Sequence, residues 1–167
     1  MKISKQYLKY YYLEDHIFKN IHKNFQKHRY LCPEEFFAIV IWKSNRVKTK
    51  VLDGIKKSGK TIRYITSQIF NAETDDKINI LKNIYGIGIP VASAILATCF
   101  PDGFTIVDYR ATESLVKFLN DRNTMSEEKV KKQLNELFGG NPSNNVKSYI
   151  EFNRRCIEEA GKIKVTL

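Results

Sequence analysis

The sequence predicts an all-α protein. Apolar side chains recur three and four positions apart through most of the chain, which is the spacing of one helix face. Proline, glycine, aspartate and threonine, which are typical of helix starts and ends, separate these segments at short intervals. Strand patterns are scarce and no internal repeat is present. Because 43% of the residues are hydrophobic, the chain can build a core, and short loops favour one compact bundle of about nine helices.

The first four helices are predicted by apolar spacing and by the residues that interrupt it. Residues 4–28 carry tyrosines, isoleucines and a phenylalanine close to helical spacing. Pro33 and the two glutamates after it suit the first turn of a second helix, whose body FFAIVIW is apolar on all sides and should be buried on most of them. The stretch NRVKTKVLDGIKKSGK predicts a short amphipathic helix ending near Gly59, and TIRYITSQIFN predicts another.

The remaining helices are predicted mainly from their caps. Thr74 should cap a helix that ends at Ile84, and Pro90 should begin the small-residue helix PVASAILATCF. Asp108 stands before YRATESLVKFLN, where an aspartate is a good helix cap. The last two helices are indicated by Thr124 and Glu127 at capping-box spacing, by Gly139 and Gly140 at a helix end, and by Asn141 and Pro142 at the start of a final helix to about Ala160.

The positive charge is concentrated in the first part of the chain. The formal net charge is +10, and residues 1–63 account for all of it, with fifteen Lys/Arg against five Asp/Glu. A basic surface attracts polyanions, nucleic acid first and anionic membrane second. A solubility charge or a lysine-rich coding bias would produce the same excess.

Cysteine spacing and hydropathy exclude several classes of protein. Cys32, Cys99 and Cys156 are far apart and form no CxxC pair, so neither a zinc site nor an iron–sulfur cluster is expected. Free thiols suit a reducing cytosol. No apolar run approaches 18 residues and the basic start is not followed by an apolar segment, so we expect neither a membrane-spanning helix nor a signal peptide.

The stretch IYGIGIPVASAIL, residues 84–96, is a candidate phosphate site. Gly86 and Gly88 can adopt a positive φ and carry no Cβ. The helix that starts at Pro90 presents unpaired N–H groups, and glycines that expose such a turn create a cradle for a phosphate. The alternative is an ordinary αα-hairpin whose glycines only serve the turn.

A wider window carries a family resemblance. The segment LKNIYGIGIPVASAILATCFPDGFTIVDYRA resembles the helix-hairpin-helix DNA glycosylase superfamily, which has the endonuclease III-like fold. The hairpin positions are taken by Leu81, Ile84, Gly86, Gly88, Ala92, Ile95 and Leu96. Pro101 lies in the following loop, and Asp108 takes the position of the catalytic aspartate. The resemblance covers residues 34–115 well, and the flanks fit only by their helix content.

The resemblance implies a fold, a partner and an activity. The fold is one glycosylase-like unit of two lobes, residues 33–104 and residues 1–32 with 105–167, with a cleft for double-stranded DNA between them. The activity is that of a monofunctional DNA N-glycosylase in base excision repair, in the cytoplasm at the nucleoid. The sequence does not determine the oligomeric state, and a monomer is favoured. The implied phosphate-binding residues are Gly86, Gly88, Ile89 and Val91. No organic cofactor and no iron–sulfur cluster is implied, and a monovalent cation at the hairpin is compatible with the family pattern.

The chain departs from the family pattern at four positions. Bifunctional members carry a lysine nucleophile 18 residues before the aspartate, and that position is Pro90 here, so lyase chemistry by that route is not expected. Tyr85 replaces the usual proline before the first glycine, and Tyr109 and Arg110 replace the usual pair after the aspartate. A DNA-binding protein that lacks the chemistry is therefore the alternative.

Asp108 is the candidate catalytic residue. Cleavage of an N-glycosidic bond passes through an oxocarbenium-like sugar. A carboxylate near C1′ either stabilises this positive charge or directs a water molecule to the sugar. The alternative is a helix cap alone, and the two roles are compatible. Arg110 could bind a phosphate or pair with Asp108 or Glu113, and a paired Asp108 would be less available as a catalyst.

Further DNA contacts are predicted around these two motifs. The stretch IWKSNR places one aromatic, one amide and two cations after an apolar helix. By resemblance, Asn45 or a neighbour would fill the gap left by a flipped base. Trp42 could stack on a base, although a core position is the simpler interpretation. The candidate DNA contacts are Trp42, Lys43, Asn45, Arg46, Tyr85, Tyr109 and Arg110, and for the two cations of IWKSNR plain solvation is the alternative.

Overall fold

The computed structural model describes residues 12–120 and 126–163, and all regular secondary structure in these ranges is helical. The all-α prediction is therefore confirmed. The first helix, α1, covers residues 12–28 and contains a π-helical stretch at His16–Ile21. The helices that follow in the described part of the chain are α2 (Pro33–Ser44), α3 (Lys48–Ser58), α4 (Ile62–Asn71), α5 (Thr74–Lys82), α6 (Ile89–Cys99), α7 (Tyr109–Leu119), α8 (Glu127–Phe138) and α9 (Val146–Ile163).

Helix α6 forms the centre of the molecule. All of its residues except Pro90 are buried, and α1, α2 and α5 pack around it. Its alanines at positions 92, 94 and 97 are fully or nearly fully buried, and small side chains let neighbouring helices approach closely. One cluster of buried apolar side chains runs from Ile17 in α1 to Phe152 in α9, with members in all of the described helices. Buried apolar area supplies most of the stabilisation of such a bundle.

Several helix ends differ from the prediction by one or two residues. Glu73 occupies the cap position of α5 and Thr74 is the first helical residue. Helix α5 ends at Lys82, because the chain needs the following residues to turn back toward α6. Helix α6 begins one residue earlier than predicted, with Gly88 at the cap position and Pro90 in the first turn.

The last two helices show the same kind of shift. The hydroxyl of Ser126 accepts the N–H of Lys129 and caps α8. The predicted cap Thr124 lies outside the described residues, as do residues 4–11 of the predicted first helix. Pro142 lies in a turn, and the side chain of Asn145 accepts the N–H of Ser148 at the start of α9, so the final helix begins later than expected. A local cap decides a helix start, and several adjacent residues here could supply one.

Lys77 of α5 is a buried cation that caps the C-terminal end of α4. Its Nζ donates to the carbonyl oxygens of Ile69 and Ala72 at 2.7 and 2.5 Å. The same ammonium lies 4.6 Å from the ring centroid of Phe100. Burial lowers the pKa of the Lys77 ammonium. The last carbonyl groups of a helix have no partner within the helix, so this side chain satisfies groups that would otherwise be buried without a donor.

Lys77→Met is expected to destabilise the protein by about 2–3 kcal/mol, because the carbonyl groups at the end of α4 lose their donor while remaining buried. Equilibrium unfolding in urea measures this change. Lys131→Met removes a lysine from the exposed face of α8 and should shift the free energy of unfolding by less than about 0.5 kcal/mol. Equal effects of the two substitutions would show that Lys77 does not cap α4.

Candidate nucleic-acid interface

The hairpin turn between α5 and α6 is packed against the backbone of α3. Gly86 has a φ of +90°, and a Cβ there would lie 2.7 Å from the carbonyl carbon of Lys50 and from the nitrogen of Val51. From the side of α3, a Cβ on Gly54 would lie 2.2 Å from the carbonyl oxygen of Tyr85 in the turn. The two glycines therefore serve a close helix-to-turn contact. The role of Gly54 was not predicted from the sequence.

Gly88 differs from Gly86. Its φ is −89°, which any residue adopts, and a Cβ there would meet only Pro90 Cδ at 3.7 Å. The positive φ that both glycines can adopt is therefore present at Gly86 and not at Gly88. Gly88 is exposed, so the start of α6 is open on this side.

The first turn of α6 presents free backbone donors. Val91 and Ala92 both donate their N–H groups to the carbonyl oxygen of Gly88, at 3.1 and 3.0 Å. In the described part of the chain, the N–H groups of Gly88 and Ile89 have no acceptor. Ile89 and Val91 are only 2% and 4% exposed as whole residues, backbone included, so the exposed Gly88 is the residue through which a ligand would approach these donors. Two N–H groups at the positive end of a helix suit an anion.

Helix α3 supplies most of the positive charge beside this turn. Residues 43–63 contain eight Lys/Arg and one aspartate, Asp53. Lysines 48, 50, 56 and 57 are exposed, and none of them pairs with an acid among the described residues. The side chain of Lys50 lies next to the hairpin turn, since a Cβ built on Gly86 would be 2.9 Å from the Cβ of Lys50. The sequence interpretation missed these lysines, although the charge density of this segment indicates them.

Asp108 caps α7 and forms an ion pair with Lys43 of α2. Its Oδ1 accepts the N–H of Ala111 at 2.9 Å, and its Oδ2 lies 3.1 Å from Lys43 Nζ. The Ala111 N–H, followed by the hydrogen bond and the charge of Lys43, lowers the pKa of the Asp108 carboxyl although burial opposes this shift. The side chain of Asp108 is 49% exposed and that of Lys43 only 12%. The carboxylate is therefore ionised at neutral pH and still reachable from solvent.

A hydrogen bond connects the hairpin helix to the residue before Asp108. Ser93 Oγ accepts the N–H of Val107 at 3.1 Å and donates to the carbonyl oxygen of Pro90 at 3.0 Å. The first turns of α6 thus hold the chain that leads into Asp108. The sequence interpretation treated Ser93 only as a small residue, but its hydroxyl links the two predicted motifs.

The other predicted contacts surround this arrangement. Trp42 is half-buried, with its ring edge-on to Phe18 at 5.4 Å between centroids. The 3-10 turn Asn45–Val47 carries the exposed side chains of Asn45 and Arg46. The remaining candidates also have exposed side chains, and they are Tyr85, Tyr109 and Arg110. Of the alternatives considered for Arg110, a pairing with Asp108 or Glu113 is absent from the described residues, where Lys43 and Lys117 pair with these two acids.

No protein-family model, no curated protein and no solved structure matches this chain. The resemblance to the helix-hairpin-helix glycosylases therefore rests on the residues of the motif. In residues 12–120 and 126–163, no three His, Cys, Asp or Glu side chains come together as a metal site. None of the helices described there combines the length and the apolar character that crossing a bilayer requires.

Proposed function

We propose that this protein binds double-stranded DNA through the start of α6 and the lysines of α3, and that it is a monofunctional DNA N-glycosylase. The observation that carries the proposal is the position of Asp108. An ionised, half-exposed carboxylate follows directly after a residue that is hydrogen-bonded to the hairpin helix. A phosphate held at that helix start would bring a nucleotide of the same strand toward this carboxylate.

The binding step in this proposal uses backbone donors and lysines. The N–H groups of Gly88 and Ile89 would hold one phosphate, and Lys50 beside Gly86 would neutralise it or its neighbour. The further lysines of α3 would lie along the DNA backbone. Such contacts are independent of sequence, and they release counterions, so the affinity should fall steeply with salt.

The chemical step in this proposal is a hydrolysis. The bond between C1′ and the base nitrogen breaks, and its electron pair leaves with the base. A water oxygen forms the new bond to C1′, and the proton that this water loses neutralises the departing base. Asp108 would stabilise the positive charge that develops on the sugar. Lys43 would hold the carboxylate in place from a nearly buried position. Pro90 stands where the lysine nucleophile of the bifunctional enzymes would be, so the reaction would stop at the abasic site.

A DNA-binding protein without catalysis is the second candidate, and a specific contact favours it. Both oxygens of Asp108 already have a partner, the N–H of Ala111 and the ammonium of Lys43. A cation 3.1 Å away offsets the carboxylate charge that an oxocarbenium would need. In this case Asp108 only caps α7 and ties it to α2.

Base release distinguishes the two candidates. Duplexes that each carry one uracil, alkylated base, oxidised base or mismatch are incubated with the protein, and strand breaks are counted with and without alkali. The glycosylase proposal expects breaks only after alkali, in at least one duplex. Tight binding without any alkali-labile product would establish the second candidate.

Lys50→Ala is expected to weaken duplex binding and to lower the slope of log affinity against log salt by about one, because one phosphate contact is lost. Fluorescence anisotropy with one duplex at several salt concentrations measures the slope. Lys131→Ala, on the exposed face of α8, carries the same charge change and should leave the slope within error of the unmodified protein. Identical slopes for all three proteins would show that Lys50 makes no phosphate contact.

Gly88→Glu is expected to weaken duplex binding about tenfold or more, because a negative side chain would stand at the proposed phosphate site. The fold should tolerate the change, since φ is −89° and a Cβ has open space. The circular dichroism spectrum and the melting temperature check this. Unchanged affinity in a folded Gly88→Glu protein would mean that the hairpin does not contact DNA.

A further inference from the structure

A pocket lies beside the hairpin turn, between the end of α3, helix α4 and the end of α5. Its volume is about 200 Å³. Its floor is apolar and includes Ile65, Ile80 and Ile84, while Ser58, Lys60, Tyr64, Gln68 and Asn83 supply its polar rim. Pockets for drug-sized ligands measure about 300–1,000 Å³. This pocket is smaller and suits a single ring system.

Tyr64 and Lys60 line the pocket, and Tyr85 and Lys57 are the chain neighbours of its lining residues Ile84 and Ser58. Tyr64 is 49% exposed and Tyr85 is 59% exposed. Lys60 Nζ lies 5.6 Å from the ring centroid of Tyr64, and Lys57 Nζ lies 5.4 Å from that of Tyr85. Aromatic rings that stand in solvent next to cations are the combination that binds single-stranded nucleic acid, since each base offers a face for stacking and each phosphate a charge.

The rim also presents neutral amides. Gln68 and Asn83 are exposed, and neither side-chain amide forms a hydrogen bond with another described residue. An amide has both a donor and an acceptor, so it can pair with the edge of a base. No acidic side chain lines this pocket. Stacking rings, amides and lysines together match the face, the edge and the phosphate of a nucleotide.

We infer that this pocket binds an unpaired base of a DNA strand, with Tyr64 as the stacking surface and Lys57 and Lys60 at the adjoining phosphates. The inference extends the proposed DNA binding, on which it rests for the source of the strand. It does not depend on Asp108 or on catalysis. The protein would then prefer DNA that has a single-stranded segment beside a duplex.

The distance between the two sites agrees with one strand occupying both. Asn83 at the pocket and Gly88 at the start of α6 are five positions apart, so their Cα atoms are separated by at most about 18 Å. Stacked nucleotides rise by about 3.4 Å along one strand. A strand with a phosphate at Gly88 and Ile89 therefore reaches the pocket within a few nucleotides.

Affinities for a blunt duplex and for the same duplex with a short thymidine overhang at its 5′ or 3′ end test this inference. The unmodified protein should bind one of the overhang duplexes roughly fivefold to a hundredfold more tightly, which is the contribution of one stacked base. Tyr64→Ala should abolish the preference and leave blunt-duplex affinity unchanged. Tyr64→Phe keeps the ring and should keep the preference. Phe118→Ala, which removes an exposed ring from α7, is the matched control.

The possible outcomes separate this inference from the proposed function. Equal affinity for blunt and overhang duplexes would overturn the inference and leave duplex binding intact. A preference that persists in Tyr64→Ala would also overturn it, because the base would then be bound elsewhere. Binding of a thymidine oligonucleotide that requires Tyr64, without binding of a blunt duplex, would support the pocket and refute the proposed duplex interface.

Discussion

Asp108→Asn is expected to lower the rate of base release about 100- to 1,000-fold and to change duplex affinity less than twofold. The carboxylate charge is what stabilises the developing oxocarbenium, and asparagine has none. The fold should persist because asparagine caps a helix as well as aspartate does. Single-turnover rates on the substrate identified by the base-release screen measure the effect. Anisotropy with an uncleaved duplex measures the affinity.

Glu113→Gln is the matched control for this substitution. Glu113 is a carboxylate in the next turns of α7 and pairs with Lys117 at 2.7 Å. The Glu113→Gln substitution should leave the rate of base release unchanged. The pH profile of base release is a second readout. Because the pKa of Asp108 is lowered below its ordinary value of 3.8, the carboxylate stays ionised as the pH falls to about 4. Protonation of Asp108 should therefore not reduce base release above that pH. Base release that persists in Asp108→Asn would assign the chemistry to another group.

Gly54→Ala is expected to lower the free energy of unfolding by about 3 kcal/mol and the melting temperature by about 6–12 °C. Helix propensity alone would favour alanine by about 1 kcal/mol. The contact with the hairpin reverses the sign, because the new Cβ would lie 2.2 Å from the carbonyl oxygen of Tyr85. Helix α3 or the hairpin turn must therefore move. Thermal unfolding followed by circular dichroism measures the change.

Gly161→Ala is the comparison for this second substitution. Gly161 also lies in a helix, α9, and nothing is within 4 Å of a Cβ built on it. This substitution should stabilise the protein by about 0.5–1 kcal/mol. If both variants gained stability, α3 and the hairpin would not be in close contact. If Gly54→Ala also lowered duplex affinity, the packing of α3 on the turn would matter for the proposed interface as well.

Local residue patterns were sufficient to predict much of the fold. The all-α class follows from the helical spacing of apolar residues. The ends of helices were predicted less well. Ser126 and Asn145 provide caps that neighbouring residues could also have supplied, and the energy difference between such alternatives is small.

The candidate site was predicted only in part. Asp108 was expected to cap a helix, and it does so. Arg110 was one possible ion-pair partner for it, whereas the partner in the structure is Lys43, 65 positions away. The buried Lys77 and the link from Ser93 to Val107 were not predicted either, because they depend on which helices become neighbours.

The sequence by itself determined which segments are helical, where the hairpin glycines stand and that the positive charge lies in the first 63 residues. These properties depend on residues close together in the chain. Only the tertiary structure decided that α3 lies on the hairpin turn, that Lys43 meets Asp108 and that a tyrosine-lined pocket opens beside the turn. The physical reason is that these features arise from close packing between helices, where a missing Cβ or a long side chain determines which surfaces fit.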